Sequence, residues 1–263
     1  MHRTTFATRP RSAPLRRPRR SGPVRRLAAG LLATVLAVAP AAAEPTARRL
    51  LGAAAQVEWG AVGRLNLGGL GHCTATLLGR GDIAVTAAHC LFFPATRVPL
   101  RPEQLQFLPG FRQGAFAAHL RGAEMAIAPG FVFTPRRGNP THDLALIRLG
   151  APAPRAIRPL NPAVQPVAVG EAVAVLSYGR DRPQALSIQA PCTVTARHGG
   201  LLLTDCEAVP GMSGAPLVRR TPQGPELVGV VSASVEADAL GRGKAIAVAI
   251  DPYLEGLARQ IAP

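Results

Sequence analysis

The feature that most narrows the fold is the way apolar residues are parcelled out along the chain. They come in short runs, Val57 to Leu67, Cys73 to Leu78, Ile83 to Ala87, Leu144 to Leu149, Ala172 to Tyr178, Leu201 to Leu203, Leu227 to Val231 and Ala245 to Ile250, with Gly, Pro and Arg clusters between them. Runs of that length bounded by turn residues are strand signals, and no long helical periodicity competes with them. With 27 glycines and 26 prolines the chain has turns in abundance, and the pattern predicts an all-β fold, barrel or sandwich. One helix is expected at the end, over 252–261: Asp251 caps it, Pro252 suits its first turn, and Tyr253, Leu254, Leu257, Ala258 and Ile261 form one apolar face. A Pro-rich stretch from Pro152 to Pro166 divides the strands into two groups of similar size, 56–150 and 160–250.

The formal charge of +15 invites a nucleic-acid reading, but nine of the 30 basic residues fall within residues 1–43, where no acidic residue occurs. The remainder carries +6 and has no basic block interleaved with aromatics, so no nucleic-acid partner is expected. Residues 1–43 read instead as a signal peptide. An Arg-rich start to residue 26 precedes the thirteen-residue apolar run Leu27 to Ala39, and Ala41-Ala42-Ala43 before Glu44 suits cleavage. A membrane span needs about 20 apolar residues, so no stable anchor is expected after cleavage. Arg25-Arg26 fits a twin-arginine signal and an ordinary secretory signal equally, and the mature protein is expected to be secreted or periplasmic. Residues 44–55 then form a leader or a propeptide, and 56–263 the folded domain.

Export changes how the cysteines read. Cys73, Cys90, Cys192 and Cys206 allow three pairings in an oxidising compartment, of which adjacent pairing is the simplest. His89 stands beside Cys90 in "TAAHC", which leaves three roles open: catalytic base, metal ligand or core residue. A zinc site from His72-Cys73 and His89-Cys90 would lack finger-like spacing. His119, His142 and His198 read as solvated or turn residues. Two further stretches favour the base. Asp143 leads the alternating strand "HDLALIRL", and Ser213 lies in "PGMSGAPL". A serine hydroxyl is a poor nucleophile near neutral pH and needs a base within hydrogen-bond reach, itself oriented by a carboxylate. Glycines on both sides of Ser213 suit a tight turn that aims the N–H groups of Gly211 and Ser213 at one oxygen.

With "CTATLLGRGDIAVTAAHC", "HDLALIRL", "DCEAVPGMSGAPLV" and "ELVGVVSAS" in this order, the sequence resembles the trypsin-like (chymotrypsin-fold) serine peptidases, in particular compact bacterial members related to glutamyl endopeptidases. The resemblance implies two antiparallel six-stranded β-barrels over 56–150 and 160–250, a short C-terminal helix, and a Cys73–Cys90 bridge. It also implies a triad of His89, Asp143 and Ser213, with Ser232 bonded to the aspartate and Ser232, Ala233 and Ser234 lining the substrate edge. The expected activity is that of a serine endopeptidase on protein or peptide substrates, monomeric, with no cofactor and no metal. An esterase, and a catalytically silent polyanion-binding protein on the same fold, are the alternatives. Trypsin carries an aspartate six residues before its nucleophile; here Glu207 holds that place, with Asp205 nearby and the alignment open. Val231 stands where glutamyl endopeptidases have a histidine, which argues against cleavage after Glu.

Pancreatic-type relatives place an aspartate just before the nucleophile, paired with a freshly cut N-terminal ammonium. This chain has Met212 there, and a thioether cannot pair with a buried ammonium. "RRLLG", Arg48 to Gly52, resembles an activation cut, yet an oxyanion site preformed by packing around Gly211 and Met212 is expected.

Overall fold

The structure, a computed structural model, describes residues 47–133, 140–235 and 242–261; the expected signal peptide lies outside the described residues. It opens with a two-residue strand, β1 (Arg49–Leu50), and a short helix, α1 (Ala53–Val57). The next strands are β2 (Val62–Leu67), β3 (His72–Leu78), β4 (Ile83–Thr86), β5 (Leu105–Pro109), β6 (Leu120–Ile127) and β7 (Ala145–Leu149). They close an antiparallel barrel in the order β2-β3-β4-β7-β6-β5. After a two-residue strand β8 (Asn161–Pro162) come β9 (Ala172–Ser177), β10 (Ser187–His198), β11 (Leu201–Ala208), β12 (Pro216–Thr221), β13 (Gly224–Val235) and β14 (Gly243–Ala249). These six run β9-β10-β11-β14-β13-β12, and β12 returns to β9 to close the second barrel. Closure leaves no long unpaired edge on either ring. The fold is thus two closed six-stranded antiparallel β-barrels with a short helix near the C-terminus.

Eight of the twelve barrel strands lie on the apolar runs named above; β5, β6, β10 and β12 do not stand out in that way. For β6 the reason is exposure of one face. In β6, Leu120 and Ala126 are buried while Arg121 is exposed, so polar residues interrupt the run. In β10 the pairing shifts register between Gln189 and Cys192, and Ala190-Pro191 sits exposed at that irregularity.

Leu65, Leu77, Val85, Leu105, Phe107, Leu146 and Ile147 fill barrel one, whereas Val175, Val194, Leu202, Leu217 and Ala247 fill barrel two. The first cluster does not stop at its own barrel. It runs through Leu176, Tyr178, Leu186, Ile188, Val230 and Val248 of the second half and on to Leu257 of the C-terminal helix. Cys73–Cys90 and Cys192–Cys206 are both bonded, the adjacent pairing. No helix among the described residues is long and apolar enough to cross a membrane.

That C-terminal helix, α2 (Leu254–Gln260), starts two residues later than the sequence suggests. Asp251 does not cap it: the carboxylate accepts from Arg197 Nη2 at 2.8 Å, and the position before the helix is Tyr253, without a side-chain cap. Residues 47–51, read as leader, are bound to barrel two. Arg49 and Leu50 pair with Ile188 and Ser187 of β10, and Leu51 N–H donates to Leu186 at 2.9 Å.

Candidate active site

His89 sits on a 3₁₀ turn, Ala88–Leu91, immediately after β4. Ala87, Ala88 and Leu91 are fully buried and pin the turn into the core of barrel one, while Cys90 is bonded to Cys73 on β3. The imidazole is left partly open, its side chain 11% exposed. Because both cysteines are consumed in the disulfide, the zinc arrangement weighed above has no thiolate to use.

Asp143 directly follows a second 3₁₀ turn, Pro140–His142, and is 1% exposed. A carboxylate buried that deeply needs several donors. It has three: Oδ1 accepts His89 N–H at 2.7 Å, and Oδ2 accepts both His89 Nδ1–H at 2.6 Å and the Ser232 hydroxyl. An ionised carboxylate only accepts, so His89 Nδ1 carries the proton and, in the neutral ring, Nε2 is the acceptor. The Asp143 turn is itself held from outside. Tyr253, just before α2, donates its hydroxyl to Thr141 O at 2.7 Å and packs its ring edge on His142.

Ser213 belongs to the turn between β11 and β12 and meets barrel one directly: its carbonyl accepts Thr74 N–H at 2.8 Å. Gly214 follows at φ +82, and a Cβ there would lie 2.0 Å from Thr74 O and 2.2 Å from Thr86 Oγ1. Only glycine allows so close an approach. Thr86 lies three residues before His89, and Gly214 N–H donates to Val231 O, next to Ser232. One turn therefore touches both the strand end that carries His89 and the strand that carries Asp143's third donor. Gly211, at φ +91, precedes Met212, which is 1% exposed and whose Sδ accepts Val209 N–H at 3.2 Å. Neither Gly211 N–H nor Ser213 N–H has an acceptor among the described residues.

Residues 73–230, more than half of the chain, match the family model of the trypsin-like peptidase domain. The chain belongs to this family. No curated protein matches it. Among solved structures it is similar to a Glu endopeptidase determined in complex with MPD, with a TM-score of 0.66 and 17% identity over 82% of this chain and 97% of that one. At that identity the likeness carries the fold alone.

Within this trypsin-like peptidase domain the remaining expected site residues fall in different places. Ser232 is buried on β13, and Ala233 and Ser234 follow it half-buried, after a register shift against β14. Val231 is buried and donates its N–H to Ala215 O at 2.8 Å. Asp205 accepts Thr193 N–H at 2.6 Å across the β10–β11 ladder. Glu207 turns its carboxylate to Arg48 Nη2, 3.8 Å away. His72, beside the bonded Cys73, donates Nε2–H to Tyr178 O at 2.9 Å, and its pKa is held below the usual imidazole value by burial first and by Arg64 next. Tyr178 is fully buried, and desolvation drives its phenol far above the ordinary range while the O–H bonds Phe111 O. Sequence reasoning missed two parts of this surround. Thr74 and Thr86 look like ordinary strand residues, and Arg48 looks like one side of a cleavage site.

Proposed function

We propose that the chain is an exported serine endopeptidase in which Ser213 attacks a peptide carbonyl and His89 is the base. Asp143 keeps the imidazole in the tautomer with Nε2 free and stabilises the imidazolium that forms when Nε2 takes the Ser213 proton. The N–H groups of Gly211 and Ser213 receive the oxyanion, a contribution of roughly 10²–10³ in rate per donor. Collapse of the tetrahedral species expels the amine, protonated by His89, and leaves an acyl-enzyme that water clears by the same steps in reverse order. The observation that carries this reading is the His89–Asp143–Ser232 hydrogen-bond line beside a turn whose Gly211 and Ser213 donors have no acceptor among the described residues. Two disulfides and the Ala43-terminated leader support export.

The deciding experiment is labelling by a fluorophosphonate together with turnover of matched peptide and ester substrates. Wild type should be labelled on Ser213 and should cleave peptides. Ser213→Ala should lose the label and several orders of magnitude in kcat with its far-UV spectrum unchanged, because nucleophile and base act as one unit. Ester turnover without peptide turnover would make the chain an esterase. An unlabelled, inert but folded wild type would make it a binding protein.

A further inference from the structure

Arg48 is 4% exposed, an unusual state for a guanidinium. Its Nη2 binds Asp181 Oδ2 and lies 3.8 Å from Glu207 Oε1. Arg182 closes the group, donating Nη1–H to the Arg48 carbonyl at 2.5 Å and standing 3.7 Å from Asp181 Oδ2. Nε and Nη1 of Arg48 have no partner among the described residues. Buried donors without acceptors are rare enough that each asks for a reason.

Nη1 meets the backbone of a neighbouring turn in place of an acceptor. It packs on Gly179, where a Cβ would stand 2.8 Å from Nη1 and 2.8 Å from Val209 Cγ2. Gly179 leads a turn whose next residue, Arg180, donates its N–H to Pro210 O at 2.7 Å. On the other side, a Cβ at Gly211 would stand 2.7 Å from Arg180 N and 3.3 Å from the Gly179 carbonyl carbon. Arg48 therefore presses on the 179–181 turn, and that turn holds Pro210 and Gly211 by one hydrogen bond and direct contact. Glu207 ties the same guanidinium to the end of β11, two residues before Val209.

The geometry points to Arg48 as a positioning residue for the Gly211 N–H, and to residues 48–51 as a strap that must stay uncut for activity. This rests on the peptidase reading above. An internal guanidinium, joined to β1 and hence to β10, performs the bracing, so no new N-terminus is required. Cleavage on either side of Arg49 would detach Arg48 from the strand that anchors it and would inactivate the enzyme.

The test uses the mature chain beginning at Glu44, as wild type, Arg48→Lys, Arg48→Met and Glu207→Gln, together with a chain beginning at Leu50. For each, kcat and KM on a peptide, the Ki of a peptide boronic acid and the thermal midpoint are measured. Arg48→Met is expected to lower kcat at least tenfold with KM little changed, and to weaken the boronate, which forms a tetrahedral adduct, by a similar factor. Arg48→Lys should recover part of both, Glu207→Gln should move both in the same direction by less, and the Leu50 chain should be the least active. A purely structural role would shift the thermal midpoint and leave kcat and boronate affinity at wild-type values, which overturns the proposal. Should Arg48→Met not fold, Arg48→Lys and Glu207→Gln carry the comparison, and unchanged kcat in both overturns it. A Leu50 chain as active as the longer one overturns the strap. Wild type that neither hydrolyses peptide nor takes up a fluorophosphonate overturns the peptidase reading as well, whereas active, labelled wild type with unaffected variants overturns Arg48 alone.

Discussion

His72 shows how one side chain next to the site couples it to pH. Its ring is wedged between the Tyr178 carbonyl, which takes its Nε2–H, and the edge of Gly211, and burial with Arg64 and Arg180 nearby disfavours its charged form. The folded pKa is thus below the unfolded one, so at falling pH the unfolded chain takes up a proton that the folded chain resists. Stability from this group is complete above the ordinary imidazole value of about 6.5, declines as pH drops through it, and levels off below the folded value. Urea midpoints of wild type and His72→Gln, measured between about pH 5 and 7.5, should converge or cross toward acid, because only wild type carries this linkage. A gap that stays constant across the window would show that His72 does not titrate against its surroundings. Glutamine is the suitable replacement because its amide can still donate to Tyr178 O.

At the level of elements, the two disulfides brace different things. Cys73–Cys90 joins β3 to the 3₁₀ turn that presents His89, and Cys192–Cys206 joins β10 to β11 within barrel two. The closed loops are of similar length, with separations of 17 and 14, so the loop-entropy model assigns each about 3 kcal/mol. Their effects on activity should nevertheless differ. Replacing Cys73 and Cys90 with serine should lower the thermal midpoint and also kcat, since the imidazole loses a tether one residue away. Replacing Cys192 and Cys206 should lower the midpoint by a comparable amount with a smaller change in kcat. Calorimetry and peptide turnover on the two double variants separate these outcomes, and equal loss of kcat would show that the first bridge does not hold His89. The C-terminal helix plays a related part at a distance, since Tyr253 grips the turn that delivers Asp143.

Across the whole molecule, the barrels share their larger core. Tyr178, Leu186, Ile188 and Val230 belong to the second half yet are buried in the cluster that fills the first, and Leu257 joins it from α2. Trp59, the single tryptophan, lies 1% exposed before β2 with the Arg220 guanidinium of β12 5.0 Å from its ring centroid. A core continuous across both halves predicts one cooperative transition. Trp59 fluorescence and far-UV circular dichroism should therefore give coincident urea curves, and a fluorescence change that precedes loss of strand signal would show the barrels separating before they unfold.

The sequence by itself determined what is local. Short apolar runs between Gly and Pro specify strands, because strand periodicity is written within a few residues, whereas the four cysteines leave three pairings open until the fold brings two pairs together. The stretch around Ser213 is legible in the same local way, since its flanking glycines mark a turn, while His89 and Asp143 stand out only as polar residues at the ends of apolar runs. Only the tertiary structure decided what comes from distant parts of the chain. It turned Asp251 from a helix cap into a partner for Arg197, and converted Arg48 from one side of a cleavage site into the buried partner of Asp181, 133 residues on. Such contacts have no period and no spacing; they arise when closing two rings of strands brings unrelated segments to one place, and the energy of burying a charge there depends on every neighbour that arrives with it.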